Sequence, residues 1–220
     1  MTRTKLTDRV LPDYSRGEEI MNMVTHIVGG TLGIVVLVLS LIRVTGIAAL
    51  IGTLIYGVCM ITLYTLSSTY HGMRPGIGKK VLQILDHCTI YFLIAGTYTP
   101  ILLGGFLPVY PGIAWGLLIA EWGLCLIAAT LTAIDLDAFS VFSMICYIGM
   151  GWAIILFIPQ CMTVMTMPGF YLLLAGGITY TVGAILYGIG NKVHWMHSVF
   201  HIFVVAGSLL QFLAIYLYVL

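Results

Sequence analysis

Seven stretches of nearly unbroken apolar residues, parted by short polar turns, run along the 220-residue chain at about 20–42, 46–70, 82–104, 109–133, 138–160, 168–190 and 195–219. A helix needs roughly 20 apolar residues to cross a hydrocarbon core of about 30 Å, and each stretch meets that length. The breaks are Arg43-Val44-Thr45-Gly46, Arg74-Pro75-Gly76 with Lys79-Lys80, Gly104-Gly105 to Pro111, Asp135-Leu136-Asp137, Pro159 to Pro168, and Gly190-Asn191-Lys192. All are short, so successive helices run antiparallel and no soluble domain is left over. The pattern predicts an all-α polytopic membrane protein, with a polar cytoplasmic tail over residues 1–19 and a seven-transmembrane-helix bundle over 20–220.

Lysine and arginine in short loops set the orientation of such a bundle. With the N-terminus in the cytoplasm, the inner side collects Arg3, Lys5, Arg9, Arg16, Arg74, Lys79, Lys80 and Lys192, and the outer side only Arg43. The tail lacks the basic start, apolar run and small-residue cleavage site of a signal peptide. The expected location is therefore the cell's inner (plasma) membrane, with Leu220 outside.

Composition agrees with that reading: 60% of residues are hydrophobic and 8% charged, with a mean hydropathy of +1.08, against roughly 25% charge in soluble domains. A net charge of +1 gives no case for a nucleic-acid partner, which leaves membrane lipids as the expected surroundings and partners. Cys59, Cys88, Cys125, Cys146 and Cys161 are scattered singly with no Cys-x2-Cys spacing, and read as small apolar core residues. The 25 glycines, mostly inside spans, predict close helix packing.

Against this background the polar residues stand out by depth. His71 closes the second span, with Ser67 one turn before it on the same face. Asp86 lies about five residues into the third span, roughly 7 Å deep, and His197 and His201 begin the seventh, roughly 3–9 Å deep. Residues from three spans thus reach one layer near the inner boundary. His197 and His201 are one turn apart, a spacing that offers two imidazoles to one ion, and His71 would supply a third. Zinc held by three histidines keeps a fourth position for water and lowers its pKa to about 7. Asp86 could then take a proton or orient that water, and Ser67 could hydrogen-bond it or an oxyanion.

Other polar residues fit this layer less directly. His194 lies seven residues before His201, roughly 10 Å along a helix axis, too far for both to bind one ion, and reads as a more peripheral or headgroup contact. His87 points about 100° away from Asp86 and reads as a packing or interfacial residue. Glu19, Asn22 and His26 share one face of the first span, and are expected to tie it to the bundle by interhelical hydrogen bonds or to line the site. Glu121, near mid-membrane in the fourth span, reads as a buried neutral acid or as part of a proton or ion path.

Taken together, Glu19-x2-Asn22-x2-Thr25-His26, Ser67-x3-His71, Leu85-Asp86-His87, Ala95-Gly96-Thr97-Tyr98-Thr99-Pro100 and His197-x3-His201 resemble the hemolysin III family. Those proteins are bacterial members of the progestin and adipoQ receptor group and are related to alkaline ceramidases. The resemblance covers nearly the whole chain. It implies seven helices, a cytoplasmic N-terminus and a zinc ion near the cytoplasmic face, with His71, His197 and His201 matching the ligands and Asp86 and Ser67 the residues holding the zinc-bound water. Gln211 departs from the family pattern, in which a histidine is common later in the last helix. It lies ten residues past His201, too far for a ligand.

Two kinds of function follow. One is an integral-membrane zinc hydrolase acting on a lipid-like amide or ester. The other is a receptor, channel or membrane-homeostasis protein in which zinc is structural. The spans carry few polar stripes apart from the inner layer, which speaks against a pore.

Overall fold

A computed structural model describes residues 4–190 and 192–220; Arg3, counted above among the inner cations, and Asn191 of the last turn lie outside the described residues. The described residues form seven α-helices: α1 (Arg16–Arg43), α2 (Ile47–Gly72), α3 (Ile77–Pro100), α4 (Pro111–Ile134), α5 (Ser140–Trp152), α6 (Ile158–Gly190) and α7 (Met196–Tyr218). A π-helical stretch, Ile101–Phe106, extends α3 beyond Pro100, and a tighter 3-10 stretch, Ala153–Phe157, joins α5 to α6. No strand occurs among the described residues.

Among the described residues six helical segments are long and apolar enough to cross a membrane, not the seven expected. The stretches expected at 138–160 and 168–190 fall together in one 51-residue segment, Ser140–Gly190. Proline and glycine between Pro159 and Gly169 do not produce a coil there; helical hydrogen bonding continues, and the direction changes at Thr166, whose φ of 61° and ψ of 170° lie outside the helical range. Both ends of this segment sit at the end of the bundle that carries the N-terminus. The turn before it is tied to Thr4 through Asp135 (2.7 Å), and the turn after it to Glu18 through His194 (3.3 Å).

Helix α1 begins earlier than the apolar pattern suggests because Ser15 and Glu18 form a reciprocal cap: Glu18 N–H donates to Ser15 Oγ (3.3 Å) and Ser15 N–H to Glu18 Oε2 (2.9 Å). Glu18 also accepts the backbone N–H of Trp195 at 2.6 Å. That bond places a carboxylate at the start of α7, where the helix dipole favours it, and holds Trp195 in a left-handed conformation (φ 68°). Helix α3 also begins early, at Ile77. Lys79 is therefore not a loop cation but a buried residue of the first turn, donating to Glu19 Oε1 (2.5 Å) and to the Met73 carbonyl (3.1 Å).

Helix α3 is the most enclosed of the six segments. Its close approach to α2 depends on Gly52, where a Cβ would stand 2.8 Å from Pro100 Cα. Large apolar side chains such as Ile119, Val141, Leu156 and Ile185 remain exposed around the bundle, as lipid-facing residues do. All five cysteines are free, and four of them are buried, in keeping with their reading as core residues.

Candidate metal centre

His71, at the end of α2, and His197 and His201, in the first turns of α7, come together with one ligand atom each within 4.8 Å of one another, and all three are buried. His197 and His201 face each other through their Nε2 atoms at 3.1 Å. Two nitrogens sharing a tetrahedral zinc at about 2.0–2.1 Å would be about 3.3 Å apart, so the pair is already near the edge length such a site needs.

Helix α1 decides which nitrogens face inward. Glu19 Oε2 lies 2.7 Å from His71 Nδ1 and accepts its proton, which leaves the lone pair on His71 Nε2; that atom is buried without a hydrogen-bond partner. Lys79 Nζ pairs with the other carboxylate oxygen of Glu19, Oε1. The Asn22 backbone carbonyl lies 3.3 Å from His201 Nδ1 and accepts its N–H, freeing His201 Nε2. A carboxylate or carbonyl behind each imidazole is the usual arrangement for orienting a histidine ligand and raising its basicity. Glu19 and Asn22 thus form a hydrogen-bonded wall behind the histidines, while His26, the third residue of the stripe, lines the cavity, so each of the two readings of that stripe describes part of it.

His26 is not a fourth member of the cluster. Its ring stacks on His201 at 3.8 Å with planes 21° apart. Imidazole lone pairs lie in the ring plane, so two near-parallel rings cannot both aim at one ion. Both His26 nitrogens are buried without a partner. His194 turns to Glu18 rather than to the cluster. His87 bonds the Gln83 carbonyl (2.8 Å) and approaches the Tyr187 hydroxyl (3.2 Å), which agrees with a packing role.

Ser67 and Asp86 line a cavity of about 180 Å³ together with His26 and His201. Ser67 Oγ is buried with no partner, and Asp86 Oδ2 lies 3.8 Å from His87 Nδ1. From there the cavity runs between α3, α5, α6 and α7 past Leu93, Ile155 and Leu174 to Gln211, whose Nε2 donates to the Leu173 carbonyl at 3.1 Å. Gln211 therefore lies at the far end of the cavity and not in the cluster. Glu121 is buried in α4 with Oε2 unpartnered, outside the histidine cluster.

The opposite side of the cluster is covered by a residue the sequence reading did not single out. The ring of Tyr14 stacks on His197 (4.8 Å, 22°) and lies 5.9 Å from His71. Burial, and then the nearby Tyr187, Glu19, Asp86 and Glu18, push its phenol far above the ordinary value.

A family model described as Haemolysin-III related matches residues 14–212, which span every residue of this centre. The chain belongs to the haemolysin III family. Among its relatives, Hemolysin-3 of Bacillus cereus is 39% identical over 206 residues, covering 92% of each chain. The Hemolysin-3 homolog of Bacillus subtilis (strain 168) is 36% identical over 204 residues, 91% of this chain and 94% of the relative. A more distant relative, Monocyte to macrophage differentiation factor of Homo sapiens, is 23% identical over 172 residues, covering 74% and 68%. This haemolysin III protein is thus a multi-pass membrane protein in which three buried histidines could hold a metal ion.

Proposed function

We propose that this haemolysin III protein is a zinc-dependent hydrolase of the membrane that cleaves a lipid-like amide or ester. The observation that carries the reading is the position of the histidine cluster beside an apolar cavity: three convergent imidazoles, two with tautomers set by α1, meet through His201 a space lined mainly by hydrocarbon side chains. The donor set suits zinc, since His71 Nε2 is a buried, unpartnered lone pair and three neutral imidazoles form a common zinc ligand set.

His71, His197 and His201 hold the ion. When bound, zinc would supply a Lewis acid for a substrate carbonyl and for the attacking water. Asp86, on the cavity wall, orients the attacking water, accepts its proton and returns it to the amine or alcohol that leaves as the acyl C–N or C–O bond breaks. Ser67, whose hydroxyl has no other partner, donates to the carbonyl oxygen as negative charge develops there. An acyl chain lies along the apolar wall, so membrane lipids are both the surroundings and the source of substrate.

The same reading includes the topology. The Ser140–Gly190 segment crosses twice and reverses at Thr166, which makes seven crossings. The helical stretches on either side of that residue, 140–165 and 167–190, would be about 39 and 36 Å long at the α-helical rise, enough for one crossing each. The excess of lysine and arginine at the N-terminal end supports a cytoplasmic position for that end, with the C-terminus outside and the protein in the inner (plasma) membrane.

The test is metal analysis of the purified protein beside His71→Ala and His201→Ala, together with hydrolysis of acyl-amide and acyl-ester lipids in vesicles. About one zinc per chain, lost in both variants along with hydrolysis, supports the proposal. Zinc retained by wild type with no turnover of any lipid makes the ion structural and overturns the hydrolase reading.

A further inference from the structure

The segment Thr4–Ser15 carries more polar than apolar residues, yet it is bound across the end of the bundle at three points. Thr4 N–H donates to Asp135 Oδ2 at 2.7 Å. Lys80 Nζ reaches the Thr7 carbonyl at 2.6 Å. Arg9 is only 5% exposed, with Nη2 3.4 Å from Asp137 Oδ1 and 3.5 Å from Gln83 Oε1. A cation is almost never buried unless it is paired. Fixing the segment costs conformational entropy, and these anchors on α3 and on the α4–α5 turn offset it.

What the segment delivers is Tyr14. This residue directly precedes Ser15, the cap of α1, so the start of the helix fixes where the ring falls. It falls over His197 and beside His71. On the far side of the cluster the apolar cavity reaches His201 and His26. Tyr14 therefore covers the cluster at His197 and His71, and the apolar cavity meets it at His201.

We propose that Tyr14 is a positioning residue of the histidine centre: strapped down by Arg9 and Thr4, it shuts the side of the cluster at His197 and His71, holds the His197 ring, and makes the cavity between the helices the route for substrate. Ions and charged solutes reach the histidines only when the strap lifts, whereas an acyl chain enters without disturbing it. The inference rests on the metal-binding part of the reading above, and it also makes a prediction that needs no metal.

The first arm follows loss of metal from zinc-loaded and cobalt-loaded full-length protein to excess EDTA. Tyr14→Ala and Arg9→Met are expected to lose metal about five- to ten-fold faster than wild type at unchanged loading, the scale of one aromatic stack. Tyr14→Phe is expected to restore the slow rate, because stacking needs the ring and not the hydroxyl. The visible bands of the cobalt protein should weaken in Tyr14→Ala as water joins the coordination shell, and stay unchanged in Tyr14→Phe. The second arm places a thiol under the cap with His71→Cys and measures its reaction with a charged methanethiosulfonate. Adding Tyr14→Ala should speed that reaction by a similar factor, about five- to ten-fold, and adding Tyr14→Phe should not. Equal rates with and without Tyr14 in the thiol arm overturn the cap, whatever the metal content. Wild type that takes up no metal while the thiol arm responds overturns the metal reading and leaves the cap standing.

Discussion

The carboxylate of Glu19 and the Nδ1 of His71, 52 positions apart in the chain, lie 2.7 Å apart. That contact sets the histidine's tautomer, because a carboxylate can only accept, and it points the free lone pair of Nε2 at the other two histidines. Glu19→Gln keeps the shape but weakens the acceptor and removes the charge that Lys79 balances. Losing such a partner behind a ligand costs about 10–100-fold in metal affinity. Competition against a chromophoric chelator should show that drop with folding intact, while His194→Ala, whose ring is bound to Glu18, should leave affinity unchanged.

Asp86 separates binding from chemistry. It lies on the cavity wall outside the trio of convergent ligands, so Asp86→Asn should retain the ion. If the carboxylate takes the proton of the attacking water, hydrolysis of an acyl-amide or acyl-ester lipid should fall by about 10²–10⁴-fold. Metal content and turnover measured on one preparation check both halves, and a variant that loses its metal as well would make Asp86 a ligand instead.

The histidine trio was legible in the sequence because depth is a nearly one-dimensional quantity in a membrane protein: counting residues from a span's end locates His71, His197 and His201 in one layer. What counting misses is the rotation of helices and the path of polar chain outside the spans. The role of Glu19 and Asn22 depends on which way α1 faces, and a spacing of three and four residues says only that they face together. Tyr14 and Arg9 lay in a stretch read as a tail, since neither apolar periodicity nor charge signals a strap made of single contacts. The Ser15-x2-Glu18 spacing was the available clue that ordered structure starts before residue 20. The Thr166 bend was hidden for another reason, because Pro159 and Pro168 suggested a coil and α6 continues through both.

The anchor at Asp135 makes attachment of the N-terminal segment sensitive to acid. Its carboxylate accepts the backbone N–H groups of Thr4 (2.7 Å), Ala138 (3.1 Å) and Asp137 (3.2 Å). The bonds from Thr4 and Ala138 lead in lowering its pKa from the ordinary 3.8 to about 2. A group with a depressed folded-state pKa stabilises the fold fully above its unfolded value and loses that contribution as pH falls through the folded one. The Thr4 contact should therefore hold above pH 3.8 and be lost between there and about 2. Hydrogen exchange at the Thr4 amide should accelerate across that window relative to an unanchored amide, and Asp135→Asn should remove the transition.

Close packing of α2 on α3 gives the sharpest expectation for stability. A methyl group at position 52 would meet Pro100 Cα at 2.8 Å, Pro100 N at 3.0 Å and the Thr99 carbonyl oxygen at 3.1 Å. These are backbone atoms at the point where α3 passes into its π-helical stretch, so they cannot move aside as the tip of a side chain would. Overpacking of this kind costs about 1–3 kcal/mol, and Gly52→Ala should lower the unfolding midpoint in detergent accordingly. Gly116, on α4, has open space where its Cβ would be, and Gly116→Ala should be neutral or stabilising by up to about 1 kcal/mol through helix propensity. Equal midpoints for the two variants would mean that the helices separate at position 52 more readily than their backbone contact allows.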